Sequence, residues 1–114
     1  MDEKNIDEFV EDAKKQFESD KIVFYGKGKV LRVASFCGSG IDGQAIAEAK
    51  SRGADTIVSS DVKHNFIADI LQCGMKLVSL THYASENYGF KKIYRNLSDK
   101  IGVPCEYYED AQLL

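Results

Sequence analysis

The sequence predicts one α/β domain over residues 1–114, a three-layer fold with a mostly parallel sheet of about four to five strands and helices on both faces. Short β-type runs alternate with amphipathic helical patterns along the chain. The connections between these elements are short, and no linker or low-complexity tract divides the 114 residues. Such alternation favours parallel strands joined by right-handed crossovers.

The first part of the chain predicts one helix and two strands. Residues 5–8 match a capping box, and apolar residues follow at helical spacing as far as Phe17. Residues 21–25 form a short β-type run. Residues 30–36 are the longest strand candidate, because they are rich in β-branched and aromatic side chains.

The rest of the chain predicts three helices that alternate with three strands. In order they are a helix over 42–52, a strand over 56–59, a helix over 62–73, a strand over 76–80, a helix with apolar residues at Phe90, Ile93, Tyr94, Leu97 and Ile101, and a strand over 105–108. Gly53 and Gly74 stand where glycine commonly ends a helix.

Composition excludes several classes of partner. A net charge of −3 and a pI near 5.3 argue against nucleic-acid binding, which needs a dense basic surface. No signal peptide begins at residues 1–4 and no apolar stretch approaches a membrane span, so we expect a cytoplasmic protein with no membrane partner. The three cysteines form no C-x-x-C pair and predict reduced thiols, with Cys37 as a small buried residue.

Three polar segments follow apolar runs, at residues 36–40, 60–64 and 81–86. If the runs are parallel strands, all three segments lie along the carboxyl edge of one sheet, where open α/β sheets place their sites. The sequence therefore predicts a polar pocket at that edge that is able to hold a metal ion.

His82 and Glu86 are the best candidates for metal ligands. If a helix begins near Thr81, the i, i+4 spacing places both side chains on one face, and imidazole and carboxylate both bind divalent transition metals. A purely structural interpretation is open, in which Glu86 stabilises the first helical turn and His82 bonds a backbone carbonyl. Spacing alone favours that interpretation, because H-x-x-x-E is common by chance.

The glycine-rich loop has two interpretations. Gly38, Ser39 and Gly40 could bind an anion at the amino end of the following helix. Gly38, Gly40 and Gly43 also match G-x-G-x-x-G, with Asp61 about 20 residues further on, so a nucleotide-binding half-Rossmann unit is an alternative.

Asp61, Lys63 and His64 are candidates for lining the same cleft. Asp61 could equally be the N-cap of the next helix, which its residue type favours. Lys63 and His64 would then lie in the first turn of that helix, where such side chains are usually solvated.

In combination these segments resemble a known family. RVASFCGSG at residues 32–40, GADTIVSSDVKH at 53–64 and LVSLTHYASE at 77–86 resemble the second half of the Nif-three-like family, whose members often carry the name GTP cyclohydrolase 1 type 2 homologue. The resemblance spans about residues 5–108. It implies a cytosolic α/β protein with a two-metal site in a cleft between two halves. It also favours the metal interpretation over the Rossmann one.

Individual positions match the family's motifs. His82 and Glu86 match the histidine and glutamate of its G-H-Y-x-x-E motif, and residues 60–65 match a segment that lines the cleft. Thr81 replaces the usual glycine of the first motif, and Asn65 replaces a histidine of the second. The family's first half, with its His-His-Pro segment and an aspartate ligand, is absent.

With two of the expected ligands, one copy cannot close a metal site, since zinc sites normally take three or four protein ligands. The chain is therefore a piece of a longer protein, a half that meets a partner chain, or a subunit that pairs with a second copy about a two-fold axis. We accordingly expect a homo-oligomer or a partner that supplies the missing half.

The resemblance implies a bound divalent transition metal (zinc, manganese or iron) and metal-assisted hydrolysis of a nucleotide-like or phosphate-bearing small molecule. His82 and Glu86 would be ligands, and no catalytic residue is assigned. The alternatives are a non-catalytic binding, assembly or regulatory module, and nucleotide binding by the glycine loop alone.

Overall fold

The computed structural model describes residues 3–114, and this part of the chain contains six strands and four helices. The strands are β1 (Lys4–Asn5), β2 (Val23–Tyr25), β3 (Lys29–Val30), β4 (Val33–Ser35), β5 (Thr56–Ser60) and β6 (Lys76–Leu80). The helices are α1 (Ile6–Phe17), α2 (Gly43–Ser51), α3 (His64–Gln72) and α4 (His82–Ser98). Residues 1 and 2, part of the segment on which the signal-peptide prediction depends, lie outside the described residues.

The main sheet is mixed, with the strand order β2-β6-β5-β4. Strands β4, β5 and β6 are parallel, and Val58 in β5 lies opposite Ser35 on one side and Val78 on the other. The edge strand β2 runs antiparallel to β6. The α/β class is thus confirmed, while the mostly parallel sheet becomes a mixed one. The three-layer arrangement stays a prediction.

Two clusters of buried side chains use alternate residues of the central strands. Ile57 and Leu77 pack with apolar residues of α2 and α3, whereas Val58 and Val78 pack with those of α1. Successive strand residues point to opposite faces of a sheet, so the two clusters lie on either side of β5 and β6. All five residues of β5 are buried, which makes the strand that leads into the candidate site a rigid support.

The predicted strand over residues 30–36 is interrupted. Its residues divide between β3 and β4, because the Asp55 carboxylate accepts the backbone N–H groups of Leu31 at 3.0 Å and Arg32 at 2.8 Å. A side chain thus takes donors that a continuous strand would offer to a neighbouring strand.

The acid stability of the fold is expected to depend on Asp55. Burial opposes ionisation, but hydrogen bonds from the Thr56 hydroxyl and from the Arg32 and Leu31 amides outweigh it, so the pKa of this carboxyl is lowered. The stabilisation is present above the ordinary value of about 3.9 and is lost as the pH falls through the lower folded-state pKa. We expect Asp55→Ala to lower the free energy of unfolding at neutral pH by about 1–3 kcal/mol.

Urea denaturation of both proteins over a pH series measures this effect. The difference between wild type and Asp55→Ala should shrink towards acid pH. Asp69→Ala, which removes an exposed carboxylate from α3, should stay within about 0.5 kcal/mol of wild type. A difference that does not change with pH would contradict the prediction.

The predicted capping box is correct in its position and wrong in its bonding. Asn5 is the N-cap of α1, but its side chain makes no cap hydrogen bond. The first helical N–H, that of Ile6, donates to the Gly28 carbonyl at 2.8 Å.

The predicted final strand over residues 105–108 is wrong. That segment is irregular and bonds to side chains of α4, as where the Tyr94 hydroxyl donates to the Cys105 carbonyl at 2.9 Å.

Helix α4 carries an apolar stripe that the described residues leave exposed. An amphipathic helix normally turns its apolar positions towards a core, but Phe90, Ile93 and Leu97 are 58%, 51% and 49% exposed. These exposed positions form a surface that begins at Phe90, one turn beyond Glu86.

Over residues 3–114, none of the helices is both long and apolar enough to cross a membrane.

Candidate metal centre

The start of α4 is set by Thr81. Its Oγ1 accepts the Ala84 N–H at 3.0 Å, which makes Thr81 the N-cap, and its hydroxyl donates to the Leu113 carbonyl at 3.0 Å. Threonine is a good N-cap residue. The residue that replaces the expected glycine thus begins the helix at His82 and places Glu86 one turn further on.

His82 and Glu86 lie in contact at the surface. The His82 Nε2 atom is 3.0 Å from Glu86 Oε1, and the two side chains are 48% and 42% exposed. The 3.0 Å separation is a hydrogen-bond distance, whereas two ligands at about 2.1 Å from a tetrahedral zinc ion lie about 3.4 Å apart. A small widening of the pair would therefore let both atoms bind one zinc ion.

The Asp61 carboxylate contacts the other ring nitrogen, His82 Nδ1. The prediction that Asp61 is the N-cap of α3 is wrong. Helix α3 begins at His64, and its N-cap is Lys63, whose side chain makes no cap hydrogen bond. Asp61 has a left-handed backbone with φ +51°, which turns the chain after β5 and brings the carboxylate to the histidine.

The two carboxylates determine the electrostatics of the histidine. The hydrogen bond to Asp61 is the largest influence and raises the pKa of His82; burial opposes this rise, and the charge of Glu86 adds to it. Asp61 and Glu86 lie on opposite edges of the ring and do not surround a common point. Accordingly, no group of three or more His, Cys, Asp or Glu side chains within residues 3–114 is arranged to hold an ion.

Gly38 lies against this pair in a conformation that suits glycine. Its φ is +63°, and a Cβ atom there would be 3.1 Å from Glu86 Oε1 and 3.5 Å from His82 Nε2. Any side chain at position 38 would push into the space that the pair occupies.

Two buried serines hold the Gly38 backbone in place. The Ser60 hydroxyl donates to the Gly38 carbonyl at 2.7 Å, and the Gly38 N–H donates to Ser85 Oγ at 3.3 Å. The Ser85 hydroxyl donates in turn to the His82 carbonyl at 2.8 Å. The sequence analysis did not predict this hydrogen-bond network. The serines at the end of the otherwise apolar strand β5 could have indicated it, because a buried hydroxyl needs a hydrogen-bond partner.

The anion-binding role of Gly38, Ser39 and Gly40 stays a prediction, and two contacts oppose it. The Gly38 N–H already donates to Ser85, and Asp42 caps α2 by accepting the Ala45 N–H at 2.8 Å. A serine hydroxyl and the Asp42 carboxylate thus already accept two of the N–H groups that an anion would need.

The Rossmann alternative is also disfavoured. Gly43, its third glycine, has open space around its Cβ position, although that position should pack closely on a strand. Asp61, which would hold the ribose, is engaged by His82.

The remaining candidates lie at the surface. Lys63 and His64 are exposed at the start of α3, and their cleft-lining role stays a prediction. Cys37, predicted as buried, is exposed and belongs to the lining of an open groove beside Glu86. All three cysteines are free thiols, as predicted.

An open groove of about 460 Å³ lies beside the pair. Most of the side chains that line it are apolar, and Glu86 contributes a carboxylate to its wall. The apolar residues come from α1, the sheet, the residue after β4, and α4: Phe17, Phe36, Val58, Leu80, Phe90 and Ile93. The groove therefore joins the exposed stripe of α4 to the candidate ligands.

The model of the family Duf34/NIF3 (NGG1p interacting factor 3) matches residues 1–110. The chain belongs to the Duf34/NIF3 family. Among curated NIF3 relatives, it is 29% identical over 82 residues to a GTP cyclohydrolase 1 type 2 homolog of Deinococcus radiodurans, covering 72% of this chain and 30% of that protein. It is 32% identical over 97 residues to a protein of the same name from Staphylococcus epidermidis, covering 83% of this chain and 25% of that protein.

Two solved structures share the fold. A Bacillus cereus protein related to NIF3 superposes with a TM-score of 0.73 at 25% identity, covering 87% of this chain and 28% of that one. The reduced HcgD protein of Methanocaldococcus jannaschii superposes with a TM-score of 0.68 at 26% identity, covering 83% and 39%. The family resemblance seen in the sequence is confirmed, and the chain spans less than a third of the length of these curated relatives.

Proposed function

We propose that this NIF3-family chain binds a divalent transition metal ion (zinc, manganese or iron) through His82 Nε2 and Glu86 Oε1. The 3.0 Å separation of these two atoms, on an exposed helical turn, is the observation that carries the proposal. Three features support it: Gly38 leaves room at the pair, Asp61 holds the far edge of the imidazole, and the buried serines keep the Gly38 loop in place.

The proposed reaction class is metal-assisted hydrolysis of a nucleotide-like or phosphate-bearing small molecule. Curated relatives carry the name GTP cyclohydrolase 1 type 2 homolog, which suggests a purine nucleotide. A bound divalent ion supplies an activated water and polarises the substrate. Phe36 and Phe90 in the groove beside Glu86 offer apolar surface to a flat ring such as a base.

A partner polypeptide is part of this proposal. Two ligands leave the ion short of the three or four protein ligands that zinc normally takes. The exposed stripe of α4 continues into the groove that Glu86 lines. A polypeptide packed on the stripe would therefore also be close enough to supply ligands to the ion. We propose that a second copy of this chain, or a chain that corresponds to the rest of the NIF3 relatives, fills this position.

Metal titration of the purified chain tests the proposal. We expect zinc to bind and to raise the melting temperature, because a ligand that binds only the folded state stabilises it. His82→Ala and Glu86→Gln should each lower the affinity by more than the roughly 10- to 100-fold typical of residues that only support a ligand. The matched control is His64→Ala, which removes the other histidine of the chain.

Elemental analysis combined with light scattering gives the stoichiometry. One ion for two chains in a dimer would support a shared site. Equal zinc affinity in wild type, His82→Ala and His64→Ala would contradict the proposal.

The alternative is a non-catalytic assembly module. The observation that favours it is the exposed apolar stripe of α4 combined with a ligand set of two. It predicts association in solution without bound metal and without a rise in melting temperature when metal is added.

A further inference from the structure

Asp61 occupies an unusual position beside the candidate ligands. It is one of two non-glycine residues with positive φ among residues 3–114, and it directly follows β5, whose residues are all buried. Its carboxylate crosses 21 residues of sequence to contact His82 Nδ1. A short side chain on a constrained backbone thus holds one edge of an exposed imidazole.

The contact with Asp61 affects which ring nitrogen of neutral His82 carries the proton. A neutral histidine carries its proton on one ring nitrogen and a lone pair on the other, and an ionised carboxylate can only accept. Asp61 faces Nδ1 and Glu86 faces Nε2, so they compete for the one proton of the neutral ring. Asp61 is the better placed of the two, because its shorter side chain loses less rotamer freedom than that of Glu86 when it is held against the ring.

We propose that Asp61 is a positioning residue, which accepts the Nδ1 proton of His82 and leaves the Nε2 lone pair directed towards Glu86. Histidines that ligate metals almost always donate their other ring N–H to a carboxylate, a carbonyl or water, which fixes the tautomer and the ring orientation. The inference rests on the proposed function only for the identity of the cation at Nε2; the tautomer is a property of the metal-free chain.

Nitrogen NMR of the metal-free, full-length chain tests the assignment. Two-bond ¹H–¹⁵N correlations distinguish the two tautomers of a neutral ring. Because the pKa of His82 is raised, spectra are recorded at increasing pH until the His82 signals stop changing. The chain has two histidines, so the exposed His64 is an internal reference in the same spectrum. We expect wild-type His82 to be mainly the Nδ1–H form.

Two substitutions at position 61 distinguish the effect of the carboxylate from that of the backbone conformation. Asp61→Gly removes the acceptor and suits the positive φ, and it should reduce the Nδ1–H population of His82. Asp61→Asn keeps an acceptor but loses the charge, so it should lie between Asp61→Gly and wild type, since charge-assisted bonds are about twice as strong. Asp69→Ala, which removes a carboxylate from α3, should leave His82 unchanged.

Zinc titration of the same variants is a second, independent measurement. Asp61→Gly should weaken zinc binding about 10- to 100-fold, and Asp69→Ala should not. A wild-type His82 in the Nε2–H form, or an Asp61→Gly spectrum identical to wild type, would overturn the inference. If wild type binds no zinc while its tautomer depends on Asp61, the proposed function fails and the inference on Asp61 stands.

Discussion

Replacing Gly38 with alanine is expected to weaken metal binding by at least about tenfold and to lower the free energy of unfolding by about 1–2 kcal/mol. The backbone at position 38 has φ +63°, a region that an L side chain enters at a cost. The added Cβ would also lie 3.1 Å from Glu86 Oε1 and 3.4 Å from His82 Cε1, so the pair would have to separate or tilt. The substitution thus affects the candidate site and the fold together.

Isothermal titration with zinc and urea denaturation measure the two effects. The control is Gly43→Ala at the first residue of α2, where nothing lies within 4 Å of the added Cβ. This control should bind zinc as wild type does and should be unchanged in stability or more stable by up to about 1 kcal/mol. Zinc affinity that Gly38→Ala leaves intact would show that the ion does not bind beside Gly38.

Leu77→Ala is expected to lower the free energy of unfolding by about 2–5 kcal/mol. Leu77 has no exposed surface, lies in β6 between β2 and β5, and packs with Ile57 and Ile70. Shortening it opens a cavity that strands paired on both sides cannot close. The loss is large against the 5–15 kcal/mol that stabilises a typical domain.

The matched control for Leu77→Ala is Val23→Ala in the edge strand β2, where the side chain is 54% exposed. We expect this control to change the stability by about 0.5 kcal/mol or less. Urea denaturation at neutral pH compares the two variants. A loss below about 1 kcal/mol for Leu77→Ala would mean that the core can collapse around the shortened side chain.

Local patterns in the sequence predicted the elements that local chemistry determines. Strand β6 matches its predicted bounds and β5 is longer by one residue, because apolar runs between turn residues specify buried strands. The i, i+4 spacing from Thr81 onwards predicted that His82 and Glu86 would share a helix face, and their side chains are in contact. Three motifs in order were enough to identify the family.

Two errors arise where a side chain bonds to a residue far along the chain. Asp55 interrupts a predicted strand from more than 20 residues away, and Asp61 reaches His82 instead of capping the adjacent helix. Cys37 is a different error, since its residue type is usually buried, yet it lies exposed in the wall of the groove. Secondary-structure propensity depends on a residue and its neighbours in sequence, so it does not predict contacts between residues that are distant in sequence.

From the amino-acid order alone follow the α/β class, the family, and the pair of donors one helical turn apart, because periodicity and short motifs are local properties. Only the folded chain decided which carboxylate holds the imidazole, how Gly38 fits against it, and which apolar stripe stays uncovered. Those features depend on where parallel strands end relative to one another, and that placement arises from packing between segments distant in sequence.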